Sequence, residues 1–308
     1  MAVSEIHWEI TTKCNLNCHH CLNNCGNPRD DELPIKEALK AVKVMADLGC
    51  RKLMITGGEP LARQGLPIIL KECYDRGISI QLLTNGVLID PALAKQLSQI
   101  IEEIGVSLDG STAEINDSIR GLGNFARICK SIKCLLGYMP VSVYFTASRA
   151  NFNDMGKTIN LAWSLGTSRV HISEIVMTGR AFENRKLFQL SEGQKSWLHQ
   201  FAQNTTGNHL RPEENCDADL STLYLTSNGF AFPCTEVALY RPSQTLGHVN
   251  QRGFIERLED RKGNFANSSL LNCRYRIYAG NNLVFSLNNK AICPMVKGVK
   301  DGKNDQNV

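Results

Sequence analysis

The stretch Cys14-Asn15-Leu16-Asn17-Cys18-His19-His20-Cys21 decides how the remainder of the chain is read. Its three cysteines are spaced C-x3-C-x2-C on one short loop. Cysteine thiolates are the common ligands of iron–sulfur clusters, which usually take four of them. Three thiolates leave one iron of a [4Fe–4S] cluster open, and an open iron can chelate a small molecule and pass it an electron. The same loop admits a plainer reading. Structural zinc takes four nitrogen or sulfur ligands, so His19 or His20 could complete a zinc knuckle.

Upstream, Ile6, Trp8 and Ile10 alternate over residues 3–11, the period of a strand that delivers the loop. Downstream, Pro34 opens a helix with an apolar stripe of Ile35, Leu39, Val42 and Met45, and Gly49 ends it. Apolar runs at 52–56, 78–83, 104–108, 141–147 and 169–176 read as strands. Helical patterns at 66–76, 91–102, 124–136 and 155–165 separate them. Counting the first, six strands alternate with helices, which predicts βα repetition with a parallel sheet. Six units are too few for a closed eight-stranded barrel. The expected fold class is α/β, a partial (β/α)6 TIM-like barrel with its site at the carboxyl ends of the strands.

The rhythm changes after residue 185. A helix near 191–203 carries Trp197, Leu198 and Phe201 on one face. Runs at 222–226 and 230–233 then flank Ser227-Asn228-Gly229, which predicts a β-hairpin. The expected division is a core at 1–185, a small C-terminal domain at 186–296 and a disordered polar tail at 297–308.

The chain has 308 residues, 43% of them hydrophobic, enough for a sizeable core. Its net charge of +4 includes no long Lys/Arg run, so nucleic acid is not an expected partner. No apolar run approaches the ~20 residues of a membrane span. The N-terminus lacks the basic start and apolar core of a signal peptide. A cytoplasmic location is expected, and there twelve cysteines are metal ligands or buried thiols rather than disulfides.

Several strand ends carry polar and glycine-rich motifs. Strand two runs into Thr56-Gly57-Gly58-Glu59-Pro60, where two glycines let the backbone approach a ligand and Glu59 sets a carboxylate at the sheet edge. Strand three ends in Thr84-Asn85-Gly86. Strand four ends in Ser107-Leu108-Asp109-Gly110, followed by Ile119-Arg120-Gly121. Strand five ends near Thr146-Ala147-Ser148-Arg149 and strand six leads to Met177-Thr178-Gly179-Arg180. Each alone is a plain turn. In this order behind the cysteine triad, they resemble the radical S-adenosylmethionine (SAM) superfamily over residues 5–185.

That resemblance implies a [4Fe–4S] cluster on Cys14, Cys18 and Cys21, with SAM on the open iron through its amino and carboxylate groups. It implies a SAM pocket of Gly57, Gly58, Glu59, Pro60, Asn85, Ser107 and Arg120. In the family the Gly-Gly-Glu-Pro segment holds the SAM amino group, the strand-four Ser lies near ribose and carboxylate, and the Arg supports that site. The residue before the third cysteine is usually a large aromatic. Here it is His20, whose imidazole can still stack near adenine, while His19 reads as a solvated loop residue.

The second part of the chain adds Cys216, Cys234, Cys273 and Cys293. The spacing C-x12-G-x4-C from Cys216 through Gly229 to Cys234 resembles the opening of the family's Twitch and SPASM auxiliary domains. Four cysteines suit the shorter Twitch form, and imply a second [4Fe–4S] cluster. The family's usual C-x2-C is absent because position 276 is Arg. Cys293 is then the fourth ligand, unless substrate fills that position. Cys50, Cys73, Cys129 and Cys134 read as packing residues, and Cys25 as a thiol that could face solvent.

The resemblance implies reductive cleavage of SAM to methionine and a 5′-deoxyadenosyl radical that abstracts hydrogen from a substrate C–H bond. Flavodoxin or ferredoxin would supply the electron, and no catalytic side chain is singled out. The expected substrate is a ribosomal peptide or peptide-like precursor. The position of Cys14 leaves no room for an N-terminal leader-recognition domain, which counts against a peptide. The alternatives are an aminocyclitol dehydrogenase or epimerase and a tetrapyrrole side-chain enzyme. A non-catalytic iron–sulfur or zinc scaffold is the third.

Overall fold

The structure, a computed structural model, describes residues 3–206, 221–265 and 284–288. Six strands follow one another across a parallel sheet. They are β1 (Glu5–Glu9), β2 (Lys52–Thr56), β3 (Ser79–Thr84), β4 (Glu103–Ser107), β5 (Val141–Ala147) and β6 (Arg169–Glu174). Helices α1 (Ile35–Asp47), α2 (Leu66–Asp75) and α3 (Pro91–Leu97) connect the first four. Two helices, α4 (Ala113–Arg120) and α5 (Asn124–Leu136), lie between β4 and β5, and α6 (Met155–Leu165) precedes β6. The sequence pattern predicts α5 and misses α4, whose eight residues bury a single apolar side chain, Ile119. It also carries α3 five residues too far.

The chain beyond β6 returns to the same sheet. Short helices α7 (Gly179–Glu183) and α8 (Arg185–Phe188) precede α9 (Glu192–Thr206). The expected hairpin is formed by β7 (Thr222–Leu225) and β8 (Phe230–Phe232), with Tyr224 opposite Phe232. It is followed by α10 (Thr235–Tyr240), β9 (Gly247–His248), α11 (Phe254–Phe265) and β10 (Val284–Asn288). Strand β7 pairs parallel to β1, so the hairpin extends the barrel sheet from its first strand. The order is β10-β6-β5-β4-β3-β2-β1-β7-β8-β9, an open sheet with an antiparallel strand at its far edge. The open partial barrel agrees with the expected fold class.

Period-two alternation gives this sheet two different faces. One carries Trp8, Leu53, Ile55, Leu82, Ile104, Val106, Val141, Val143, Val170 and Ile172, each with no exposed surface. Helix α1 packs Ala38, Ala41, Val42 and Met45 into the same core. Each large side chain so buried contributes roughly 1.5–3 kcal/mol. The other face is polar. It presents His7, Gln81, Glu103, Ser107, Tyr144, Thr146 and His171, most of them half-buried. Tyr144 stacks on His171 with ring centroids 4.2 Å apart, and Gln81 donates to the Tyr144 hydroxyl at 2.9 Å.

Candidate functional site

The cysteine loop leaves the carboxyl end of β1 and closes on itself. The Cys14 N–H donates to the Gly26 carbonyl at 2.8 Å, and Gly26 N–H donates back to Thr12 at 3.1 Å. Two strand-end segments clamp it. From β2, Gly58 N–H donates to Thr11 O at 2.7 Å and Glu59 N–H to Lys13 O at 2.8 Å. A Cβ on Gly58 would lie 2.4 Å from Lys13 O, so this glycine serves close packing of two backbones. From β6, the Thr178-Gly179-Arg180 turn covers the other side. Arg180 donates its backbone N–H to Cys21 O at 2.9 Å, its Nε to Cys18 O at 2.8 Å and its Nη2 to Cys25 O at 3.0 Å. Thr178 Oγ1 donates to Leu22 O at 3.0 Å. A Cβ at Gly179, where φ is +52°, would meet Leu22 O at 2.5 Å. The sequence marks this T-G-R turn as a motif without giving it a task. The structure makes it the loop's clamp.

The three thiols are half-buried. Leu16 N–H points at Cys14 Sγ (3.4 Å) and Cys25 N–H at Cys21 Sγ (3.4 Å). Burial pushes the Cys18 thiol up to about 11. Cys21 goes the other way. The Cys25 thiol donates to it and holds it down against the opposing effect of burial. Cys25, a thiol that from sequence could face solvent, is only 3% exposed and lies buried behind Cys21.

Glu59 is fully buried. Burial raises its carboxyl, and internal donors oppose that rise. One oxygen accepts from Thr84 Oγ1 (2.7 Å) and Leu61 N–H (3.1 Å), the other from Asn85 N–H (2.8 Å). Its carboxylate therefore ties β2 to β3, with Pro60 buried as the first residue of a 3-10 turn. Asn85 is 7% exposed, and its Nδ2 lies 3.9 Å from Cys14 Sγ. Ser107 sits half-buried on the inner face at the end of β4.

Arg120 ends α4 and is buried against Asp109, with Nε and Oδ2 2.6 Å apart. His20 Nε2 lies 3.0 Å from the same oxygen. Burial opposes the Asp109 charge, but Arg120 and His20 outweigh it and hold its carboxyl below the usual range. The other Asp109 oxygen accepts Thr146 N–H at 2.8 Å. Asp109 is thus the hub that fixes Arg120 and His20 beside the cysteines. Sequence reasoning passes over it within Ser107-Leu108-Asp109-Gly110, although a carboxylate at a strand's carboxyl end was the available signal. His19 is exposed, with Nδ1 3.0 Å from Ser118 O. One ring nitrogen of each histidine in the zinc reading is therefore held by another group.

These residues fit a [4Fe–4S] cluster and SAM on the chemistry of the donor set. Three half-buried thiols share one clamped loop, peptide N–H groups face two of the sulfurs, and a buried guanidinium lies beside them. His20 Nδ1 is buried without a hydrogen-bond partner among the described residues, as a nitrogen awaiting a polar ligand would be. In the C-terminal part, Cys234 is half-buried at the start of α10 and packs beside Tyr224, Phe232 and Val237. Burial pushes its thiol up to about 12. Cys216, Cys273 and Cys293 lie outside the described residues, as does the tail at 297–308.

Comparison with known proteins agrees with the core of this reading. The chain is 35% identical over 183 residues to the AdoMet-dependent heme synthase of Methanosarcina barkeri, covering 58% of this chain and 52% of that protein. It is 30% identical over 192 residues to the PqqA peptide cyclase of Ruegeria pomeroyi, covering 60% and 51%. The chain thus spans about half the length of the curated relatives it matches. The fold is shared with Streptococcus suis SuiB. That protein's structure bound to the precursor peptide SuiA superposes with a TM-score of 0.66 at 16% identity, covering 82% of this chain and 63% of that one. The family model described as the radical SAM superfamily matches residues 8–162, half of the chain and all of the clamped loop, and the chain belongs to that superfamily.

Proposed function

We propose that this radical SAM enzyme modifies a ribosomal peptide or peptide-like precursor on the inner face of its open barrel. The observation that carries the reading is the polarity of that face. Gln81, Ser107, Tyr144, Thr146 and His171 line it with donors and acceptors, most of them half-buried. A peptide brings N–H and C=O groups that need such partners when buried. The relation to a peptide cyclase supports the same class.

Cys14, Cys18 and Cys21 hold the [4Fe–4S] cluster in this proposal. Gly57, Gly58, Glu59, Pro60, Asn85, Ser107 and Arg120 form or support the SAM pocket, and His20 offers its free Nδ1 to the nucleoside. When bound, the cluster and SAM supply an electron and a 5′-deoxyadenosyl radical able to take hydrogen from an unactivated C–H bond. The chain's task is to orient SAM and substrate and to exclude water. An external carrier such as flavodoxin or ferredoxin delivers the electron. Cys216, Cys234, Cys273 and Cys293 hold an auxiliary cluster. We place the protein in the cytoplasm, in keeping with a structure in which, among the described residues, no helix is long and apolar enough to cross a membrane.

A second reading rests on the 35% identity to a heme synthase, which favours a tetrapyrrole side chain. Anaerobic assays separate the two. Under dithionite, the enzyme forms 5′-deoxyadenosine, and replacing Cys14, Cys18 and Cys21 by Ala abolishes it. Undiminished formation in that variant would refute the radical SAM assignment of these residues. Faster formation with peptides encoded beside the gene supports the peptide reading, and acceleration by porphyrins alone overturns it.

A further inference from the structure

We propose that Asn85 is a positioning residue for electron transfer: its side-chain amide donates to the Cys14 thiolate and raises the reduction potential of the cluster. The inference rests on the assignment of Cys14, Cys18 and Cys21 as cluster ligands.

The orientation of the Asn85 amide follows from its neighbours. Val87 N–H lies 2.9 Å from one side-chain atom, and an N–H can only donate, so that atom is Oδ1. The planar amide then directs Nδ2 the other way. It sits 2.8 Å from Asn15 Oδ1 and 3.9 Å from Cys14 Sγ. Both positions accept a hydrogen, and the amide has two to give. The backbone beneath is equally fixed. Asn85 N–H is held by Glu59, and Gly86 N–H donates to Thr84 Oγ1 at 3.0 Å. The buried carboxylate of Glu59 thereby aims Asn85 at a sulfur carried by another βα unit.

The three cysteines are not equivalent. Cys14 Sγ faces two N–H donors, Leu16 and Asn85. Cys21 Sγ faces the Cys25 N–H. Cys18 Sγ lies 3.9 Å from a carbonyl, Arg120 O, which offers a thiolate nothing. Adding an electron increases negative charge on the sulfurs. A donor at sulfur therefore stabilises the reduced cluster more than the oxidised one, and its loss lowers the potential. At 7% exposure, Asn85 works where water screens little. Of the two donors at Cys14 it is the side-chain one, so substitution can remove it.

The test is an EPR-monitored redox titration of cluster-loaded protein without SAM, comparing wild type with Asn85→Ala and Asn85→Asp. SAM affinity is measured separately. We expect the reduced-to-oxidised ratio at a fixed poise to fall about fivefold in Asn85→Ala, as for one lost hydrogen bond. It should fall further in Asn85→Asp, which keeps the acceptor for Val87 and sets a negative oxygen against the sulfur. An unchanged potential in both variants overturns the proposal, whether or not SAM affinity falls; a fall would make Asn85 a SAM ligand instead. If Asn85→Asp does not load, Asn85→Ala alone decides, with Asn85→Ser as its check. Absence of any [4Fe–4S] signal in wild type would instead refute the ligand assignment on which this rests.

Discussion

Replacing Asp109 by Asn changes one side-chain atom at the hub beside the cysteine loop. Asn can still accept from Thr146 N–H through Oδ1, a contact of 2.8 Å. Its NH2 group then confronts Arg120 Nε and His20 Nε2, which lie 2.6 and 3.0 Å from the present carboxylate oxygen. Asp109 has no exposed surface and Arg120 only 7%, so water cannot replace the lost charge. Removing one partner of a buried ion pair costs about 3–5 kcal/mol. Unfolding entropy of about 2.1 cal/mol/K per residue gives about 0.65 kcal/mol/K for a chain of this length. The expected fall in Tm is therefore about 5–8 °C, read by calorimetry on cluster-loaded protein without SAM. The double variant Asp109→Asn/Arg120→Met removes the stranded guanidinium and should be more stable than Asp109→Asn alone. A fall under about 2 °C in the single variant, or a double variant no more stable, would refute the view of Asp109 as the counter-charge to Arg120.

Three further outcomes are expected. Gly58→Ala puts a methyl group 2.4 Å from Lys13 O, an overpacking cost of about 1–3 kcal/mol, and should lower iron per chain after reconstitution; full loading with an unchanged Tm would count against the clamp. Cys234→Ala should reduce the iron content from about eight to about four atoms per chain if that residue ligates an auxiliary [4Fe–4S] cluster, and an unchanged iron content would remove it from the ligand set. Glu103 is held down to about 2 from 4.5, first by His171, whose Nε2 lies 3.9 Å away, and then by Ser142 and Arg169 against burial. Because its folded value is depressed, its contribution is complete above pH 4.5 and is lost as the pH falls toward 2. After allowance for solvent screening it amounts to at most about 2 kcal/mol. Urea unfolding of cluster-free Glu103→Gln should show a gap from wild type that closes only in that acid window.

Local pattern carried the barrel. Alternating apolar residues such as Ile6, Trp8 and Ile10 specify which face of a strand is buried, and Gly or Pro at segment ends marks where each strand or helix stops. The cysteine loop and the strand-end motifs are legible by residue type and spacing, since each is a short run of adjacent residues. Helix α4 is not legible from this pattern because Ala113–Arg120 has few apolar residues and its buried face includes Asn116 and Arg120.

What the tertiary structure decided is the partner of each polar group. Glu59 reads from sequence as a carboxylate offered to SAM; in the fold it accepts from Thr84 and Asn85, more than twenty residues away. Asp109 reads as part of a turn, yet it gathers Arg120 and His20. Arg180 binds carbonyls in a loop more than 150 positions earlier. Cys25 turns inward to Cys21, and the β7–β8 hairpin joins β1. The physical reason is common to all of these. Burial periodicity is encoded over a few residues, whereas a buried charge or thiol must find its donor wherever the sheet order brings one, and that order exists only once the strands have assembled.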